Sequence, residues 1–137
     1  MSLQKIFPIA GSALLAQQVR LNTTASNLAN ADSVGNTPQD TYRAREPVFA
    51  SISRGLSRAH EPGGVSVLGI VERDTPVRME HRPTHPLADD KGYVHLPNVN
   101  PIEEMANMIS ASRSFEVNVE VLNTTKQLLL RTLTLGE

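Results

Sequence analysis

Near the start of the chain, Leu3, Phe7, Ala10, Leu14, Gln17, Leu21, Thr24 and Leu28 advance by alternating fours and threes. That step keeps them on one side of a helix with a 3.5-residue repeat. Six of the eight are apolar, and a second row, Ile6, Ile9, Ala13 and Ala16, widens the apolar side in the first half. The pattern predicts a helix over Leu3–Asn30. The far end repeats it: Met105, Met108, Ser112, Phe115, Val119, Leu122, Lys126, Leu129 and Leu133 follow the same step, broken by Ser112 and Lys126. They predict a helix over Pro101–Leu135. A further row, Val117, Val121, Leu128 and Leu135, falls on another side of that helix, and one intramolecular partner cannot cover both rows.

Length sharpens the point. A helix over Pro101–Leu135 runs roughly 50 Å at about 1.5 Å per residue, whereas a compact chain of this size has a radius of gyration of about 14 Å. Such a helix projects from any globule the chain forms. Its second apolar side is then expected to be buried by other subunits, because soluble monomers rarely expose such a stripe unless it is a contact site. The stripes alone leave two arrangements open: an extended assembly, and a soluble coiled-coil adaptor or closed homo-oligomer.

Between the helices the helical period disappears. The stretch Ser33–Asp40 is polar and turn-rich and reads as a flexible loop on which no fold depends. Tyr42–Ala50, Val65–Arg73, Val77–Arg82 and Tyr93–Leu96 read as short strands limited by Pro62, Pro76, Pro83, Pro86 and Pro97, with a turn at Asp89-Asp90-Lys91-Gly92. At the second helix Asn100 suits the cap and Pro101 the first helical position, with Glu103 placed to reach back to the cap. Pro8 suits the opening turn of the first helix, and Asn30 a left-handed residue at its end. The expected fold class is α+β: two long terminal helices paired as an antiparallel coiled coil, with a small antiparallel β-rich middle. The divisions are 1–32, 33–99 and 100–137.

Composition removes alternatives. The 137 residues carry a net charge of −1 and no clustered Lys or Arg, so neither nucleic acid nor anionic lipid has an electrostatic footprint. With no cysteine there are no disulfides, thiolate metal sites or cysteine nucleophiles. No apolar run approaches the roughly 20 residues that span a bilayer, so no direct membrane insertion is expected. Lys5 followed by Ile6–Ala16 imitates a secretory signal. Yet the apolar rhythm continues through Leu21 and Leu28, and Leu14 is a poor residue three places before a cut after Ala16.

Candidate chemistry is thin. His81 and His85 stand four apart near Asp89 and Asp90, but that spacing joins two ligands only on a helix, which Pro83 and Pro86 break. They read as solvated strand and loop residues. No Gly-x-Ser-x-Gly accompanies the serines, and Gly63-Gly64 opens no helix after a strand, so hydrolase and nucleotide-binding readings fall away. More informative are Asn22, Ser26, Asn27, Asn30, Asn107, Ser110, Ser112, Asn118 and Asn123 at regular helical positions. They make either a solvated face or small polar groups that fix register between packed helices.

The segment Ala25-Ser26-Asn27-Leu28-Ala29-Asn30-Ala31-Asp32 resembles the signature shared by flagellar rod, hook and hook–filament junction proteins. The stretch His85-Pro86-Leu87-Ala88-Asp89 with Gly92-Tyr93-Val94, then Asn98-Val99-Asn100 and Ala111-Ser112-Arg113-Ser114-Phe115-Glu116, are similar to proximal-rod members of that family. So are Leu122-Asn123-Thr124-Thr125-Lys126 and Leu133-Thr134-Leu135-Gly136. The segments Ser33–Thr41 and Ser51–Gly64 carry no recognisable family motif. The resemblance implies a non-enzymatic subunit without cofactor, metal or small-molecule substrate. Such a subunit is exported unfolded through the flagellar type III apparatus without a cleaved signal. It then stacks with its own copies and other rod subunits in a helical tube across the periplasm.

In such a tube the terminal helices form an inner, D0-like layer around the export channel, the middle forms an outer layer, and the shaft carries torque from motor to hook. On this reading Leu14, Leu21, Leu28, Met105, Phe115, Val119, Leu122, Leu129 and Leu133 are expected to supply apolar contact. Asn27, Asn30 and Asn123 are expected to set register.

Overall fold

The computed structural model describes residues 3–54 and 61–134. Its elements run α1 (Leu3–Ala29), β1 (Arg45–Arg54), β2 (Glu61–Glu72), β3 (Arg78–His81), β4 (Tyr93–Leu96) and α2 (Pro101–Thr134). Both terminal helices and all four strands are present, in an α+β arrangement. Leu135, expected to end the last helix, lies outside the described residues.

Helix α1 is the central layer. On one side it packs antiparallel against α2, where Arg20 reaches Asn107 and Asn27 reaches Glu104. On another it carries the β1–β2 hairpin, while no strand packs against α2 among the described residues. Helix α1 therefore serves two different partners. Pro8 lies inside the helix instead of opening it, and its ring is exposed.

Helix α2 starts as its residues require. The Asn100 side chain accepts the Ile102 N–H at 3.1 Å, the Asn100 carbonyl accepts the Glu104 N–H at 3.0 Å, and Pro101 needs no partner. The Glu103 carboxylate does not turn back to the cap; Arg73 takes it at 3.3 Å. At the end of α1, Asn30 keeps negative φ, contrary to the left-handed expectation. Its side-chain amide donates to the Ser26 carbonyl at 2.8 Å, so the helix end is capped without a backbone reversal.

The strands form two separate antiparallel pairs, β1–β2 and β3–β4. In the first, register shifts lie between Val48 and Phe49 and between Ser51 and Ser53, so Leu68 is one extra residue on β2. The hairpin docks through Gly64: Ser12 Oγ accepts the Val65 N–H at 3.0 Å while donating to the Ile9 carbonyl at 2.7 Å. Gly64 has φ 126°, and a Cβ there would overlap Ser12 Oγ, so glycine is needed for both conformation and approach.

The stretch Ser33–Asp40 is a correction to the sequence reading. Gly35 pairs with His95 in an antiparallel bridge, N–H to carbonyl at 2.9 Å and back at 3.2 Å, which gives β4 a second partner beside β3. Thr41 Oγ1 donates to the Thr37 carbonyl at 2.7 Å and closes the loop on itself. Polarity alone suggested a loop without structural duty, but its backbone pairs with a strand 60 residues away, which no local pattern reports.

The apolar centre sits where these segments converge at the end of α1 and the start of α2. Ala31, Ala44 and Val99 form the cluster with Tyr42 against it, and Val94, Leu96 and Pro97 are buried nearby. Asn98 staples the surrounding chain. Its Oδ1 accepts the Ala44 N–H at 2.7 Å, and its Nδ2 donates to the carbonyls of Arg73 at 3.1 Å and Thr75 at 2.8 Å.

Candidate functional site

The helix–helix seam is made of small and polar residues. On α1 the buried positions are Ala10, Ala16, Thr23, Thr24 and Asn27; on α2 they are Glu104, Ala111 and Thr125. The α2 positions repeat at seven or fourteen residues, with half-buried Asn118 completing the row. Beside it, each four residues after a member of that row, run half-buried Met108, Phe115, Leu122 and Leu129. Leu14, Leu21 and Leu28 are similarly half-buried on α1. The fully buried positions of both helices are thus small or polar, while the leucines keep partial exposure.

One amide organises the base of the seam. Asn27 is 1% exposed and uses its full hydrogen-bonding capacity within the chain. Its Nδ2 donates to the Arg45 carbonyl at 2.8 Å and to Glu104 Oε2 at 3.1 Å. Its Oδ1 accepts the Arg45 N–H and the Tyr42 hydroxyl, both at 2.9 Å. The side chain thus pairs with Arg45 as a strand neighbour would, while holding the buried Glu104 carboxylate of α2. Sequence placed Asn27 among register-setting polar groups; the structure finds its partners inside the subunit.

Above this joint lies a cleft of about 280 Å3 walled by Arg20, Thr24, Arg45, Arg73, Glu103 and Glu104 among others. Its charges are largely matched. Arg73 forks between Glu46 and Glu103, and hydrogen bonding to Glu46 first, then to Glu103, holds the guanidinium above its ordinary pKa against the opposing effect of burial. Arg45 pairs with Glu72 at 3.6 Å and lies over the Tyr42 ring. Among the described residues there is no cluster of His, Asp and Glu able to hold a metal ion. His85 Nδ1 accepts the Leu87 N–H, and Asp89 accepts the N–H groups of Tyr93 and Lys91. The Tyr93 N–H, ahead of the others, lowers the Asp89 pKa below its ordinary value.

The outer sides of α2 are different in kind. Nine large apolar side chains of this helix are exposed among the described residues, including Ile109 at 56%, Leu130 at 55% and Leu133 at 69%. Ile102, Ile109 and Leu130 share one side by multiples of seven, whereas Val117, Val121 and Leu128 occupy another. Met105, Val119 and Leu133 are exposed between the first group and the seam, and the polar, exposed Asn123 falls in the first group's own row. On α1, by contrast, Leu15 is the large apolar residue left exposed among the described residues. No helix among the described residues is long and apolar enough to cross a membrane. Of the two helices, α2 therefore carries most of the exposed apolar surface, and the β1–β2 hairpin exposes more at Val48, Phe49, Leu68, Ile70 and Val71.

Comparison with known proteins bears on what covers it. The family model described as flagella basal body rod protein matches residues 7–36, within which lies most of α1. The model described as flagellar basal body rod FlgEFG protein C-terminal matches residues 90–135, which include β4 and α2. Similar proteins include the flagellar basal-body rod protein FlgC of Yersinia enterocolitica, 55% identical over the full length of both chains. Those of Escherichia coli O157:H7 and Salmonella typhimurium are 51% and 50% identical, again over all of both chains. Identity of that degree from end to end covers the helices, both strand pairs and the joint that links them. The chain belongs to the FlgC family of flagellar basal-body rod proteins.

Proposed function

We propose that this chain is a structural, non-enzymatic subunit of the proximal rod of the bacterial flagellar basal body, joined to copies of itself and to other rod subunits through the outer sides of α2. The carrying observation is the apolar excess of α2: residues on at least two sides remain exposed after α1 has covered the seam. Apolar rows left exposed on more than one side of a helix mark contact surface, and neighbouring chains would supply the cover. A head-to-tail contact that does not close generates a helical tube, which suits a hollow shaft that carries torque to the hook and encloses the export channel. The reading includes delivery through the flagellar type III apparatus and a place in the periplasm. Full-length similarity to rod proteins disfavours a soluble adaptor or closed oligomer.

Leu130→Asp tests the reading. Leu130 is 55% exposed in the subunit, so its exposed half represents about 1 kcal/mol per contact, with further loss from forcing a charge into an apolar interface. The folded subunit should be altered by no more than about 0.5 kcal/mol. Expressed as the sole copy in a flagellated host, the variant should leave rods incomplete and cells non-swimming. Normal rods and normal swimming would overturn the proposal.

A further inference from the structure

We infer that the segment Tyr42–Arg45 is a strap whose seating controls whether the two terminal helices pair at their base. Three of the four hydrogen bonds to the Asn27 amide come from this segment, and the fourth goes to Glu104 of α2. Tyr42 Oη also lies 3.2 Å from Ser26 Oγ, one residue along α1. Without the strap, closing α1 on α2 would leave the Asn27 amide with one of its four protein partners, the Glu104 carboxylate. With the strap seated, the amide is satisfied and presents its remaining N–H to Glu104. Strap docking and helix pairing are one step.

The strap is anchored from outside the seam. Ala44, fully buried, is held by its N–H to Asn98 Oδ1 at 2.7 Å and by its carbonyl to the Arg73 N–H at 2.7 Å. Asn98 precedes α2, and its side chain hydrogen-bonds to Ala44, Arg73 and Thr75, none of which lies on α1 or α2. Loosening Asn98 therefore releases the strap without removing either side-chain hydrogen bond between the helices, Arg20–Asn107 or Asn27–Glu104. The consequence for assembly rests on the rod-subunit reading: the terminal helices would become a paired unit only after the middle of the chain has folded. The coupling itself does not depend on that reading.

The experiment is hydrogen exchange on the full-length chain, comparing parent, Asn98→Ala, Asn27→Leu and the double variant. In the parent background, Asn98→Ala should speed exchange by at least about tenfold both in residues 42–46 and at the base of the seam, residues 20–28 and 104–111. The Asn27→Leu background lacks the linking amide. There the same change should still speed exchange in residues 42–46 but leave the base of the seam within about twofold. Tyr42→Phe, which removes one hydroxyl, supplies a milder second test and should speed exchange at the base of the seam severalfold.

Faster exchange confined to the strap in the parent background would overturn the inference, as would an undiminished effect on the seam in the Asn27→Leu background. If Asn98→Ala leaves the strap unmoved, Tyr42→Phe decides, and an unchanged seam there overturns it as well. Swimming is read separately by Leu130→Asp, so the coupling and the rod assignment fail independently.

Discussion

Asn27→Asp is the sharpest single perturbation of the joint, because it changes one atom and reverses what that atom offers. The amide N–H groups to the Arg45 carbonyl and to Glu104 Oε2 disappear, whereas the bonds accepted from Arg45 N–H and Tyr42 Oη–H survive. A buried carbonyl left without its donor costs about 1–3 kcal/mol. The new carboxylate also faces that of Glu104 in a joint where both residues are buried. At about 4 Å and an effective dielectric of about 20, two unit charges repel by about 4 kcal/mol.

Together these losses reach about 5–7 kcal/mol if both carboxylates are charged, a large share of the roughly 5–15 kcal/mol of a typical domain. Part of the repulsion is relieved when the introduced carboxyl keeps its proton, which raises its pKa in the folded state. The sign follows: a raised folded pKa means stability is fully present below the unfolded value of about 3.9 and is lost as pH rises through the folded one. Urea unfolding followed by circular dichroism, with the parent measured at the same pH, should show a modest deficit near pH 4 that widens toward pH 8. A deficit independent of pH, or none at pH 8, would refute the account of this joint.

Other outcomes follow from the same geometry. Ala111→Leu places about three extra carbons at a fully buried point of the seam and should destabilise the subunit by about 1–3 kcal/mol in thermal melts, whereas Ile109→Leu on the outer side should leave the melt unchanged. Gly64→Ala meets both a positive φ and Ser12 Oγ, and should cost about 1–3 kcal/mol in urea unfolding while speeding hydrogen exchange in β2; unaltered β2 exchange would contradict the docking described. Asp89 has a lowered folded pKa, so its contribution is present above the unfolded value and is lost as pH falls through the folded one. Amide resonances of Lys91 and Tyr93 should therefore shift with a midpoint below that of an ordinary aspartate.

Much of this architecture could be read from neighbouring residues. The helices, the Asn100-Pro101 start of α2 and the four strands depend on spacing and turn chemistry within a few positions, where backbone preferences act. The assignment of inward sides was less legible. A row chosen for hydrophobicity ran through Met105, Val119 and Leu133, which are exposed, and missed Glu104, Ala111 and Thr125, which are buried. Hydrophobic spacing finds which residues avoid water, but the distance between two backbones depends on where small side chains oppose each other.

Asn27 shows the same division. Its helical position and its place in a family-like segment marked it as notable, but its partners lie 15, 18 and 77 residues away. Sequence alone determined that the terminal helices carry more apolar surface than one another can cover, because that excess is a property of composition and period. The tertiary structure decided which apolar rows remain outside, that the loop at Gly35 completes the sheet beside β4, and that the amide of Asn27 joins strap to helix pair. These depend on groups brought together by folding, and hydrogen-bond partners separated by tens of residues leave no local period to read.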